Sequence, residues 1–413
     1  MHVSVIPAAA VSALALALSA CLPAHAQATQ AELYIDVATH AMPGMPGMGA
    51  IGRLAGAMGG ETASYGQARH PGMPGKYLDV ALHNRRQPGT PADQAVPGGL
   101  GVGPSIRLLA PATSGSTPDA TPAMGNATQQ DGSFRLRYYW GCGDQVRSGQ
   151  PAEFTVTVRN GRPVTSGRTM QPRTIPAHGP KAAPPYVLWP NTSTRTAVGP
   201  KASLVGAHQL AGDALPESMR FVLDRGHDFL PELRIRSEGG AGQGTLLRWD
   251  GVEGARAYFA HASASDGDTI VMWSSSEDGY AGLELVDYLP DTLVTQWTGK
   301  RTLMKPDTRE CRIPDAVFAN AGGNGPMLQM IAYGSERSIA EPRPDGAARE
   351  WKPAWNVRVR TKSTAMLIPG LGAIGADAAR DAAKPAARDK AGNEVKEEVK
   401  DAAKRLLRGL IRR

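Results

Sequence analysis

The chain has 413 residues, enough for two or three folding units rather than one. Its 48 glycines and 33 prolines exceed ordinary usage and crowd the part before residue 130, where little continuous core is expected. The formal net charge is +7, so the expected partners are anionic.

From the N-terminus, Val3 to Ala20 is an apolar run ending in Leu18-Ser19-Ala20-Cys21, and Ala24-His25-Ala26 follows. A run of this length before a small-residue cleavage pattern predicts a signal peptide over 1–26 and is too short for a membrane span. Leu-Ser-Ala-Cys also resembles the lipobox of bacterial lipoproteins, which implies acylation at Cys21. Either route predicts the periplasm or cell envelope, secreted or lipid-anchored, with no transmembrane span in the mature chain. That compartment speaks against nucleic acid and for an anionic envelope surface or another envelope protein. It also predicts a disulfide between the two remaining cysteines, Cys142 and Cys311; the other reading is two separately buried thiols.

Residues 27–131 read as a Gly/Pro/Met-rich region with short strands and a linker. Tyr34-Ile-Asp36-Val-Ala-Thr-His40 recurs as Tyr77-Leu-Asp79-Val-Ala-Leu-His83, and each copy alternates as a strand with one buried face does. Ser105–Leu109 is a third short strand. Between the copies, Met42, Met45 and Met48 recur every third residue, with His40, His70, Met73 and His83 near them. Thioether and imidazole ligands suit copper, and the segment resembles methionine-rich stretches of periplasmic copper-handling proteins. Under that reading His40, Met42, Met45, Met48, His70 and Met73 are the ligands; under the other, Met is adaptable apolar contact in a Pro-Gly loop.

Residues 132–237 read as a first β-sandwich-like domain. Phe134–Trp140 and Glu153–Arg159 are β runs, Asn160-Gly161 is a hairpin dipeptide, and Met219–Leu223 and Leu233–Arg236 continue the pattern. His208, Asp224, His227 and Asp228 suit either zinc or acid–base chemistry, or a turn in which Asp caps backbone amides. Tyr138, Tyr139, Trp140 and Trp189 are either core residues or a stacking surface for glycan.

Residues 238–362 read as a second β domain. Leu246–Trp249, Ala257–His261 and Thr269–Trp273 are three strands in quick succession; Met327–Tyr333 and Trp355–Arg360 are late ones. Trp249 on the first strand and Tyr258 on the second, joined by Gly251-Val-Glu-Gly-Ala255, resemble the opening of a fibronectin type III or immunoglobulin-like sandwich. The resemblance implies a core role for both rings and no activity.

Residues 363–413 form an Ala/charged tail. From Glu394, Val395, Val399, Ala402, Ala403, Leu406, Leu407, Leu410 and Ile411 fall on one helical face. Acidic residues come first and Lys404, Arg405, Arg408, Arg412 and Arg413 last, matching the helix dipole. This basic amphipathic helix is expected either to lie on an anionic membrane surface or to dock on the protein itself.

The fold class is therefore mainly β: two sandwich-like modules after a Gly/Pro/Met-rich region, with a C-terminal amphipathic helix. No G-x-S-x-G elbow, H-E-x-x-H helix, P-loop or dinucleotide fingerprint occurs. The reading is an exported, non-enzymatic envelope protein that is structural or surface-binding, without a catalytic residue or resident cofactor. The alternatives are copper handling through the Met/His segment and hydrolysis of an envelope polymer.

Overall fold

The computed structural model describes residues 29–43, 64–69, 73–111, 132–159, 162–167, 179–239, 244–279, 282, 285–320 and 325–367. The strands in chain order begin with β1 (Ala31–Ala41), β2 (Gly75–Asn84), β3 (Ala92–Ala95) and β4 (Ser105–Leu108). Next come β5 (Gly132–Trp140), β6 (Ala152–Arg159), β7 (Arg162–Gly167), β8 (Val187–Trp189), β9 (Gly206–Ala211) and β10 (Arg220–Leu223). β11 (Ile235–Gly239), β12 (Thr245–Trp249), β13 (Ala257–Asp266) and β14 (Thr269–Ser274) precede the helix α1 (Asp291–Gly299). β15 (Glu310–Ile313), β16 (Met327–Ala340) and β17 (Trp355–Leu367) complete the set. The protein is mainly β; Tyr34–His40, Tyr77–His83, Phe134–Trp140, Glu153–Arg159 and Trp355–Arg360 fall within these strands, while of the expected strand Leu233–Arg236 only the last two residues do.

Ten strands form one mixed sheet in the order β7-β6-β5-β14-β13-β16-β17-β1-β2-β8. Two neighbouring pairs are parallel, β1 with β17 and β14 with β5; the rest of this sheet is antiparallel. Both parallel pairs join regions that the sequence divides at residues 131 and 237. The large sheet draws strands from all three regions, so those divisions are not sheet boundaries. Parallel neighbours need long crossovers, and local alternation carries no trace of them.

Two smaller sheets cover the large one. The four-stranded sheet β10-β9-β3-β4 closes a core in which Leu33, Ile35, Val80, Leu82 and Val357 meet Leu108, Leu210 and Phe221. The three-stranded sheet β11-β12-β15 closes a second, where Leu247, Trp249 and Ile313 meet Tyr258, Trp273 and Met330. The Trp249 and Tyr258 rings lie 5.6 Å apart, both buried, yet their strands belong to different sheets. Cys142, just after β5, is bonded to Cys311 of β15 with Cα atoms 5.2 Å apart, which ties the large sheet to the three-stranded one.

The opposite face is treated differently along its length. Over β13 and β16, Phe259, Ile331 and Tyr333 pack under Val294 and Trp297 of α1. Sequence reading did not anticipate this helix, because nine residues with two buried positions make a weak periodic signal. Over β17, β1 and β2 the same face is polar and carries the candidate site. Among the described residues no helix is long and apolar enough to cross a membrane. Cys21, the segment 112–131, Asn160-Gly161 and the tail with Lys404, Arg405, Arg408, Arg412 and Arg413 lie outside the described residues.

Candidate functional site

The two copies of the Tyr-x-Asp-Val-Ala repeat pair with each other. β1 and β2 run antiparallel with Asp36 opposite Asp79, so the repeated aspartates meet at the centre of the pairing. β17 runs parallel on the other side of β1 and sets Arg358 beside Tyr34, Arg360 beside Asp36 and Thr364 beside His40. Because side chains alternate faces, all of these share the face opposite Leu33, Ile35, Val357 and Val359.

This face is roofed rather than wetted. Ala68 N–H donates to Asp79 Oδ2 (3.0 Å), and Lys362 Nζ donates to Arg69 O (3.1 Å) and Asp287 Oδ1 (3.2 Å). Tyr65 Oη donates to Pro180 O (3.2 Å). The Tyr288 ring lies over Arg360 and Lys362, 4.5 and 4.4 Å from the two cationic centres. Residues 65–69, Gly179-Pro180 and Asp287-Tyr288 therefore cover a charged layer. Asp36 is 2 %, Asp79 3 %, Arg360 3 % and Lys362 0 % exposed.

Arg360 binds Asp36 through both arms, Nε to Oδ1 at 2.7 Å and Nη2 to Oδ2 at 2.5 Å, and Arg69 Nε stands 3.6 Å from the same carboxylate. The planar fork matches a carboxylate, which makes this a strong charge-assisted pair. Burial works against the Arg360 charge, but Asp36 overcomes it and raises the guanidinium above its ordinary value. Asp79 has no such partner. Burial first and the Asp36 charge second push its carboxyl up to about 7, while the amides of Gly66 and Ala68 pull the other way; Oδ1 has no hydrogen-bond partner. Arg69 also pulls the carboxyl down from a distance; two adjacent carboxylates resist joint ionisation, so the one not bonded to an arginine holds its proton to higher pH. Burial lowers Lys362 from its ordinary value, opposed by Asp287. A small cavity of about 40 Å³, room for a water or two, touches this layer at Gln67, Tyr77 and Asp79.

His40 belongs to this layer. Its Nε2 lies 3.1 Å from Gln67 O, which can only accept, so Nε2 carries the hydrogen; Nδ1 then accepts from Thr364 Oγ1 at 2.6 Å. Both ring nitrogens are engaged within the protein. The register places His40 opposite Gly75, so Met42 and Met73 flank one end of the β1–β2 pair, and Met73 O accepts from Tyr77 Oη (2.9 Å). Met45, Met48 and His70 lie outside the described residues. Among the described residues no group of three His, Cys, Asp or Glu side chains is placed to hold a metal ion.

The second cluster does not converge. Asp224 accepts from Gly226 N–H (2.9 Å) and pairs with His227 Nδ1 (2.6 Å), while Asp228 accepts from Leu204 N–H, Phe229 N–H and Ser203 Oγ. His208 lies elsewhere, stacked on Phe221, with Nε2 donating to Leu204 O and Nδ1 accepting from Gln94. The Asp residues cap turn amides. Of the aromatics, Tyr138 and Trp189 are buried, while Trp140 is half-buried and stacked on Tyr138 at 5.9 Å.

Sequence reading missed the charged layer, because polar positions of an alternating strand are ordinarily the solvated face. One signal was present: an aspartate at the centre of two repeated apolar strands, against Arg358, Arg360 and Lys362 alternating on a third.

No family model, characterised protein or solved structure matches the chain.

Proposed function

We propose that this is an exported, non-enzymatic protein of the cell envelope with a structural or surface-binding role. The observation that carries the proposal is how the reactive side chains are held. Asp36 is paired with Arg360, Lys362 with Asp287, and His40 with Thr364 and Gln67, each under a roof rather than in an open cleft. Such pairs define one packing arrangement of a β framework. The Cys142–Cys311 bond supports an oxidising compartment and therefore export.

The two-module architecture belongs to the same proposal in altered form, as two halves of one large sheet, each closed by its own small sheet. The fibronectin-like corner is confined to Trp249 and Tyr258. The basic helix over 394–413 is proposed to hold the framework near anionic lipid.

The test is fractionation of cells producing the full chain, with intact mass, thiol titration and a variant lacking 394–413. The proposal expects envelope recovery, a mass beginning at acylated Cys21 or at Gln27, no free thiol at Cys142 or Cys311, and weaker binding of the truncated chain to anionic vesicles. Cytoplasmic recovery of the unprocessed chain sinks export; unchanged vesicle binding sinks the role of the tail.

A further inference from the structure

A cavity of about 160 Å³ opens to solvent between β4 and the loop that follows β8. These are edge strands: β4 ends the four-stranded sheet and β8 ends the ten-stranded one. Leu109 and Leu188 join the two edges by a pair of backbone hydrogen bonds, at 3.1 and 2.8 Å. A cavity of about 150 Å³ accepts one benzene-sized ring, so this space takes a single six-membered ring.

The loop wall is fixed by the protein's own hydrogen bonds. Asn191 Nδ2 donates to Arg107 O and Leu188 O, both at 2.8 Å. Its Oδ1 accepts from the Ser193 N–H at 3.0 Å and the Ser193 hydroxyl at 2.6 Å, and its N–H donates to Thr194 Oγ1 at 3.0 Å. Arg195 Nη1 donates to Thr192 O at 2.7 Å and Thr194 O at 3.2 Å. Among the described residues no acceptor meets Arg195 Nε or Nη2. One edge of this guanidinium is thus committed and the other is open, and a wall held in this way loses little freedom on binding.

The lining has three characters. Arg107 and Arg195 line the cavity and no carboxylate does. Asp93 on the neighbouring strand pairs with Arg107, which leaves one positive charge uncompensated. Ile106 and Trp189 are buried and give an apolar floor, while the hydroxyls of Ser105 and Thr196 belong to the exposed rim. An inorganic oxyanion uses the charge and ignores the floor. A neutral apolar ring covers the floor and leaves the guanidiniums and hydroxyls without partners.

We propose that this cavity binds one acidic sugar unit, a pyranose bearing a carboxylate, either free or at the end of a glycan. The carboxylate meets the open Arg195 edge, whose planar donors match its two oxygens. The C–H face of the ring lies on Ile106 and Trp189, and the ring hydroxyls exchange hydrogen bonds with the rim. The site is separate from the buried charged layer, and its test does not depend on export.

The test titrates the purified protein with sodium galacturonate by calorimetry at constant ionic strength, with galactose, acetate and phosphate as comparison ligands. Wild type is expected to saturate with one galacturonate per chain and to bind each comparison ligand at least about tenfold more weakly. Arg195→Gln and Arg107→Gln should each weaken galacturonate binding at least about tenfold. Arg309→Gln, an exposed arginine beside the three-stranded sheet, should leave it unchanged, and thermal midpoints verify that each variant is folded. Trigalacturonate forms a further arm: affinity matching the monosaccharide supports the end of a glycan, and weaker affinity supports the free sugar acid. Absence of saturation by galacturonate overturns the proposal, as does equal affinity for galactose, acetate or phosphate. It is also overturned by unchanged affinity in both folded site variants, by an equal loss in Arg309→Gln, or by binding of trigalacturonate alone.

Discussion

Asp36 and Asp79 face one another across the β1–β2 pair, yet only Asp36 is bonded to an arginine. Asp79 keeps amide contacts from the 65–69 turn and, through burial and the neighbouring charge of Asp36, a carboxyl pushed up to about 7. The folded protein therefore holds this proton more tightly than the unfolded chain. The stability it contributes is complete below about pH 4 and is lost as pH rises through 7. Asp79→Asn should remove that dependence and gain roughly 2–4 kcal/mol over wild type at pH 8 relative to pH 4. Urea unfolding at the two pH values checks this, and parallel pH profiles for the two proteins would contradict it.

His261 has the opposite sign. It is fully buried on β13, its Nε2 has no hydrogen-bond partner, and burial lowers its pKa to about 4. The folded state resists protonation, so stability is complete above about pH 6.5 and falls as pH drops toward 4. His261→Leu should lose less stability than wild type between pH 7 and pH 5, by roughly 2 kcal/mol. The measurement is the denaturation midpoint at both pH values; an equal drop in both proteins would count against this account.

The Asp36–Arg360 pair is expected to behave as a buried ion pair. Arg360→Met strands a carboxylate and should destabilise by about 3–5 kcal/mol, whereas Asp36→Leu with Arg360→Met removes both charges and should recover much of the loss. A double-mutant cycle in guanidinium chloride measures the coupling. Additive effects would mean that the pair is not coupled in the folded state.

The Cys142–Cys311 bond spans a sequence separation of 169 residues and joins two sheets. Replacing both cysteines with serine should lower stability by roughly 2–5 kcal/mol, with the larger loss expected for a long loop. Thermal unfolding of wild type with and without a reductant should reproduce the difference. A midpoint indifferent to reduction would remove the bond from the account of stability.

Much of this protein is legible in its sequence because the signals involved are local. Alternation of apolar and polar residues marks β1, β2, β5, β6 and β17, and a period of two identifies which of their residues share a face. The two cysteines that remain besides Cys21 suffice to suggest the bond that the fold contains. The repeat at Tyr34 and Tyr77 marked two similar strands, though not that they would pair about their aspartates.

Tertiary structure alone decided where the charge lies. Alternation says that Arg358 and Arg360 share a face of β17, but not whether that face meets water or a roof. It also does not say that β17 runs parallel beside β1, 324 residues away at Asp36 and Arg360. Local propensity contains no information about neighbours so distant, whereas side-chain burial and ion pairing depend on them entirely. Polar positions of alternating strands thus became the buried charged layer of the protein.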